Sequence, residues 1–454
     1  MIIQELLELE KKSELYKYRD NYDIPIWLFI RYSVFWEKEK VELNLNEPHL
    51  IEKANFFKII KYLFYTIKLN AYRVKKNKII IFGAGINNVI EGNEYINKLY
   101  DLYIINNKEF QLLESSSKLE YKMPRLNKNL LYSDIFHLIS ALFKRFIRIS
   151  RKEKQQIDDL IAYLLELELI HESAYRWKKI LINTCRSNRI NYVLFFYFLT
   201  RKKPKALVVE DAHYGGHSLL IKIAKKMYIP IIEIQHGFIS ETHFAYNYDD
   251  SLYKHIADVL PDYFLSYGSY WKNKINTPAK FVPIGNAYLE NKKLYSEGRK
   301  KILVVSSGTL PNEYLELLIL LKNQVNKEYE IIFRPHPSER PGAWSRYHNL
   351  VKLGLQLDYE NLYYRLRTID IVISLEMTTV LFEALAYTNR VFLLKSRASI
   401  SHIKGDEPFI IIDDYNDLIH SIRINKIVSK INIDDIWHPN AIDSFNIFIK
   451  SIKL

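Results

Sequence analysis

Residues 205–237 read KALVVEDAHYGGHSLLIKIAKKMYIPIIEIQHG. Ala206, Leu207, Val208 and Val209 form a short apolar run of the kind buried inside a sheet. Apolar residues then recur at helical spacing over 218–227, and a second apolar run fills 229–234. Strand, helix, strand is the unit of a parallel sheet. The same alternation continues outward, with strands expected at 262–266 and 281–284. After a polar stretch at 289–300, read as an interdomain linker, it restarts. Strands are expected at 301–305, 329–333, 370–373 and 390–394, and helices at 312–325 and 379–387. The fold class is therefore α/β, with two Rossmann-like domains facing across a cleft and a largely helical N-terminal extension. The expected domains are 1–75 (helical), 76–290 (Rossmann-like, with a helical insertion over about 110–200) and 291–454 (a second Rossmann-like domain).

Composition narrows the function. The chain has 454 residues, 48% of them hydrophobic and 26% charged, which excludes a disordered or fibrous protein. Its formal net charge is +13, which favours an anionic partner: nucleic acid, lipid or a phosphorylated substrate. Cys185 is the lone cysteine, so a disulfide framework is excluded and a reducing, cytoplasmic setting is expected. No run of about 18 uncharged apolar residues marks a membrane span. Two basic amphipathic stretches, at 57–68 and 138–154, suggest either helices packed on a core or contact with the anionic inner face of a membrane. Gly83-Ala84-Gly85 follows a strand expected at 78–82, but it lacks the third glycine of a dinucleotide fingerprint. Where that fingerprint has an acid stand Asn106 and Asn107, which excludes NAD.

Ligands of such sheets bind beyond the carboxyl ends of the strands. Glu210-Asp211 ends the strand at 206–209, and a carboxylate there can take a proton from a hydroxyl. His213 and His217 follow it. Gln235-His236-Gly237 ends the next strand, where His236 can donate to a phosphate or a sugar hydroxyl; His243 lies just beyond. In the second half, Ser307 and Gly308 open the turn after 301–305. Arg334, His336 and Pro337 follow 329–333, and Arg with His suits a phosphate. Thr378 and Thr379 begin a helix whose first N–H groups would face an anion, and Glu383 lies about one turn further on, within reach of a ribose. No Asp-x-Asp metal motif stands at a strand end, since Asp249-Asp250 and Asp413-Asp414 fall in loops, so no metal and no other cofactor is expected.

Across about 205–395 this arrangement resembles the GT-B glycosyltransferases of bacterial capsule and surface-polysaccharide synthesis. The relevant groups are sialyltransferase-like and Kdo-transferase-like enzymes and the CDP-glycerol glycerophosphotransferases. His336-Pro337 matches the HP motif of the sialyltransferase-like group and Thr378-Thr379 its Ser/Thr pair. Glu210-Asp211 falls on the acidic pair, with Ala212 where the motif has glycine. Gln235-His236-Gly237 is similar to a tripeptide of surface-polysaccharide proteins. The resemblance implies a nucleotide-sugar donor, a CMP-sugar above all, held by Ser307, Gly308, Arg334, His336, Pro337, Thr378, Thr379 and Glu383. It implies catalysis by Asp211 or Glu210 with His236, and a glycan or lipid-linked acceptor near His213, His217, Gln235 and His243. Inversion without a metal follows by the same analogy. The alternatives are a CDP-alcohol phosphotransferase, a sugar epimerase of the same fold and a nucleic-acid-binding protein. Against the last stands the lack of any RNA- or DNA-binding module.

Overall fold

The computed structural model describes residues 2–46, 55–171, 173–290, 300–337, 339–352, 354–428 and 432–452. Most of the expected linker, 291–299, lies outside them. Two compact units emerge. Unit 1 comprises Met1–Lys38, Ala54–Ala287 and Asn440–Leu454; unit 2 comprises Glu39–Lys53 and Tyr288–Pro439.

In unit 1 the strands are β1 (Ile79–Ala84), the hairpin β2 (Asn88–Glu91) and β3 (Glu94–Asn97), β4 (Phe110–Ser115), β5 (Leu130–Tyr132), β6 (Ala206–Val209), β7 (Ile231–Ile234), β8 (Tyr263–Ser266) and β9 (Lys280–Pro283). Seven of them form one sheet in the order β5-β4-β1-β6-β7-β8-β9, and its pairings are parallel. Unit 2 carries β10 (Lys301–Val305), β11 (Glu330–Arg334), β12 (Gln356–Leu357), β13 (Ile371–Ser374), β14 (Val391–Leu394) and β15 (Ile410–Ile412). They pair in parallel in the order β12-β11-β10-β13-β14-β15. Counted by its own strands, the unit 2 sheet runs 3-2-1-4-5-6, the doubly wound order of a Rossmann-like domain, and the unit 1 sheet runs in the same order with β9 added as a seventh strand at the edge. The central strands are Ile-, Leu- and Val-rich and buried along nearly their whole length, because helices cover both faces.

Three sequence expectations change. Residues 1–38 are no extension. Ile3, Leu15, Trp27, Leu28 and Phe35 are buried in the same apolar cluster as Leu207 and Val209 of β6. Glu10 and Arg31, both buried, pair at 2.6 Å beneath the 236–248 loop. The stretch 110–200 begins with two sheet strands, β4 and β5, before the helices Asp134–Phe143, Arg151–Glu166 and Ala174–Lys202. Finally, the domain expected at 291–454 ends earlier. Helix Ala441–Ser451 belongs to unit 1, where Phe445 packs on Tyr103 at 4.9 Å and on Phe110 at 5.6 Å.

Candidate functional site

In a sheet of this order the loops diverge between the first and fourth strands, leaving a crevice. Unit 1 has that switch point between β1 and β6, where Glu210 and Asp211 stand. Their two carboxyls do different things. Glu210 is buried and turned across the crevice. It accepts from the Ala84 amide at 2.7 Å and from Asn87 Nδ2 at 2.5 Å. Burial, and then the neighbouring charge of Asp211, push its carboxyl up to about 8. It closes the loop after β1 and is no free base, which removes it from the expected catalytic pair.

Asp211 adopts a left-handed backbone (φ 55°), a conformation that Asp tolerates better than most residues. This turn carries its side chain past the strand end, where 46% of it is exposed. Oδ1 lies 3.3 Å from His236 Nδ1, at the end of β7. The Tyr246 hydroxyl also reaches His236 Nδ1 at 3.3 Å and donates to Glu233 at 2.8 Å. Desolvation raises the Asp211 carboxyl above the usual range; His236 opposes the shift and the Glu233 charge adds to it. A carboxylate so placed is a stronger base than one in water.

A pocket of about 320 Å³ opens onto Asp211. Its walls come from Tyr214, Gly216 and His217 on one side and from Phe29, Ile30, Tyr32 and Ser33 on the other. The Tyr32 and Tyr214 rings meet at a tilt of 60°, with centroids 4.7 Å apart. The N-terminal segment is pressed against this loop. Gly215 has φ +85°, and a Cβ there would stand 2.1 Å from the Leu28 carbonyl oxygen.

The other expected acceptor residues divide. His217 lines the pocket, and burial lowers its imidazole to about 4, so it is neutral near pH 7. His243 meets the Tyr214 hydroxyl through Nε2 at 3.2 Å. His213 is buried with both ring nitrogens engaged, Nδ1 by Glu233 and Nε2 by Thr277 at 2.8 Å; it braces the site from behind. Gln235 is also buried. It donates to the Gly237 carbonyl at 2.9 Å and accepts from the Tyr267 amide at 3.0 Å, so it shapes the loop that presents His236. Sequence reading missed Glu233, Tyr246 and Tyr32. Glu233 left a signal: it is the one charge within the apolar run of β7.

Unit 2 repeats the device at its own switch point, between β10 and β13. Buried Glu376 accepts from the Ser307 amide at 2.7 Å and the Thr309 amide at 3.3 Å, much as Glu210 holds Ala84. Burial raises its carboxyl too. The Gly308 amide donates to Ser306 Oγ at 2.9 Å. The amides of Ser307 and Gly308, expected at a phosphate, are thus engaged within the loop. Glu339 Oε2 accepts from Ser306 Oγ at 2.6 Å and from the His336 amide at 3.0 Å, which holds exposed His336 and Pro337 at the end of β11.

Two expected donor residues point elsewhere. Arg334 NH1 pairs with Asp358 and donates to the Glu360 carbonyl at 2.9 Å, and Arg365 holds the other Asp358 oxygen at 2.8 Å. That cluster ties the end of β12 to β11. Glu383 is buried and accepts from the Tyr363 hydroxyl at 2.5 Å, so it faces the interior and not a ribose. Thr378 caps the short helix Thr379–Ala384 by accepting from the Val380 amide at 3.4 Å; both threonines are half-buried. Among the described residues no group of His, Cys, Asp and Glu has a metal-binding arrangement.

No known family profile and no curated protein matches the chain. Solved structures of similar outline include the UDP-GlcNAc 2-epimerase of Methanocaldococcus jannaschii, with 12% identity, 82% of this chain and 99% of that one covered, and a TM-score of 0.45. The UDP-GlcNAc 2-epimerase of Neisseria meningitidis bound to UDP-GlcNAc has 12% identity, the same coverage and a TM-score of 0.44. MurG of Acinetobacter baumannii has 9% identity, covers 82% and 99%, and has a TM-score of 0.42. Likeness at this level says nothing about activity.

Proposed function

We propose that the chain is a GT-B-type glycosyltransferase that moves a sugar from a nucleotide-activated donor to a surface-polysaccharide or lipid-linked glycan. The observation that carries this reading is Asp211. Its carboxyl is raised above the usual range, braced by His236 and open to a pocket with an aromatic wall. An acceptor hydroxyl placed there loses its proton to Asp211 as its oxygen bonds to the anomeric carbon of the donor. The bond from that carbon to the nucleotide phosphate breaks, and the nucleotide leaves with the electron pair. A single displacement of this kind inverts the anomeric centre. Aromatic faces such as those of Tyr32 and Tyr214 suit the apolar face of a sugar ring.

Unit 2 is assigned the donor nucleotide. His336 and the Thr378 and Thr379 hydroxyls are its polar groups at the strand ends once Arg334 and Glu383 are set aside. A CMP-sugar of the sialic acid or Kdo type is favoured by the His336-Pro337 and Thr378-Thr379 resemblance. A thermal-shift series with CMP, CDP, UDP, GDP and dTDP tests the assignment. A nucleotide at a hundred times its Kd stabilises the folded state by about 2.7 kcal/mol. CMP is expected to raise the melting temperature of the wild type and to do so less in His336→Ala. No shift with any nucleotide would overturn the reading, and label transfer from CDP-glycerol alone would replace it with phosphotransfer.

A further inference from the structure

The helix Phe56–Lys68 is folded the wrong way round for a soluble protein. Asn55 caps it, accepting from the Lys58 amide at 2.8 Å. At 100° per residue, Tyr62, Tyr65, Thr66 and Leu69 share one face. That face is the one turned inward: Tyr62 and Thr66 are buried, and Thr66 is hydrogen-bonded to Tyr121 at 2.7 Å. The opposite face carries Phe56, Phe57, Ile60, Phe64 and Ile67, and it is the apolar face that meets solvent. Phe57 is 81% exposed and Phe64 55%.

Helix Asp134–Phe143 packs beside it and leads into a second exposed apolar group, with Leu142 57%, Phe143 53% and Phe146 67% exposed. A single solvent-facing Phe is ordinary; two neighbouring helices bearing such faces are not.

Along the sequence these two segments carry charge of one sign, although Glu120 of a neighbouring loop stands 3.9 Å from Lys58. Residues 55–78 contain seven Lys or Arg and no Asp or Glu, and residues 138–152 contain five and none. These two short segments account for nearly the whole excess of +13. Lys68 lies over the Phe64 ring and Arg145 over the Phe146 ring, so the cations rim the apolar surface. Among the described residues no helix is long and apolar enough to cross a membrane.

We infer that the exposed faces of helix 56–68 and of residues 142–146 form a seat for an anionic lipid bilayer. The aromatic and aliphatic side chains enter the headgroup boundary while the Lys and Arg rim meets lipid phosphates. This inference is independent of the catalytic reading, because none of these residues belongs to the pocket or to the strand-end groups.

The test is flotation of the full chain with vesicles of phosphatidylcholine containing phosphatidylglycerol, against vesicles of phosphatidylcholine alone. Binding to the anionic vesicles is expected, at least about tenfold tighter than to the neutral ones and weakened by high salt. The double variant Phe57→Ser/Phe64→Ser is expected to lose at least about tenfold of that binding, and Lys61→Glu/Lys68→Glu a similar amount. Both pairs are exposed, so circular dichroism and the melting temperature should match the wild type. Failure to float with anionic vesicles would overturn the inference. So would equal flotation of wild type and variants. A concentration-dependent dimer broken by Phe57→Ser/Phe64→Ser, without lipid binding, would assign the surface to a second copy of the chain instead.

Discussion

Replacing Arg31 by Met should cost the chain a large part of its stability and disable the site together. The guanidinium is buried and makes four hydrogen bonds. Nε and NH2 bind Glu10 at 2.6 and 2.7 Å, NH1 binds the Phe244 carbonyl, and NH2 also binds the Asn247 carbonyl at 2.8 Å. It also lies 4.1 Å above the centre of the Tyr248 ring. Met fills the volume but leaves the Glu10 carboxylate buried, with only Tyr16 and Trp27 as donors. Removing one partner of a buried ion pair costs about 3–5 kcal/mol. Each orphaned carbonyl adds roughly 1 kcal/mol or more. The expected loss is therefore about 5–7 kcal/mol, against about 5–15 kcal/mol for a typical domain. Urea unfolding followed by tryptophan fluorescence measures it. The double variant Glu10→Leu/Arg31→Met should recover much of the loss, because it removes the stranded charge. Loss of less than about 1 kcal/mol in Arg31→Met would place the pair among surface ion pairs and refute the reasoning. The functional consequence follows from the loop: Phe244 and Asn247 flank Tyr246, which braces His236.

Neighbouring glycines make a second, paired test. Gly215→Ala must push the loop off the Leu28 carbonyl and is expected to cost more than about 2 kcal/mol, whereas Gly216→Ala, with open space at its Cβ, should change stability by less than about 0.5 kcal/mol in calorimetry. Glu210 has its carboxyl raised from 4.5 to about 8 in the folded chain. Its contribution is therefore full below about pH 4.5 and is lost as pH rises to about 8. Relative to Glu210→Gln, the wild type should lose stability over that window, by up to about 1.4 kcal/mol per pH unit in denaturant titrations; parallel pH profiles would show that the group does not titrate there.

The two sheets were legible because their strands are short apolar runs followed by polar strand ends, as in Ala206–Val209 followed by Glu210 and Asp211. The switch-point acids were legible for the same reason, although sequence could not show which of the adjacent pair turned inward. That choice rests on the left-handed backbone of Asp211 and on the Ala84 amide, which β1 brings alongside. The role of residues 1–38 was not legible. Their helical spacing fits any covering helix, and only the fold places Leu28 against Gly215. Strand β5 is three residues long, too short to register as a pattern. The stretch at 138–154 carries a continuous basic amphipathic pattern, yet it spans the end of one helix and the start of another: Ser150 caps the second by accepting from the Glu153 amide at 3.1 Å, and the Ser-x-x-Glu spacing that announces this cap stands in the sequence. The engagement of Arg334 with Asp358 depends on β12 and β11 pairing, which no local motif reports.

The most direct test of the central claim is sugar transfer by Asp211→Asn, assayed with a labelled CMP-sugar, or with whichever nucleotide donor the thermal-shift series selects, and a polysaccharide acceptor. The variant keeps the shape of the pocket wall but cannot take the proton. Transfer should fall by at least about a hundredfold while the nucleotide-induced thermal shift stays at the wild-type value. Transfer within about threefold of wild type would contradict the assignment of Asp211 as the base, since general-base catalysis contributes far more than that.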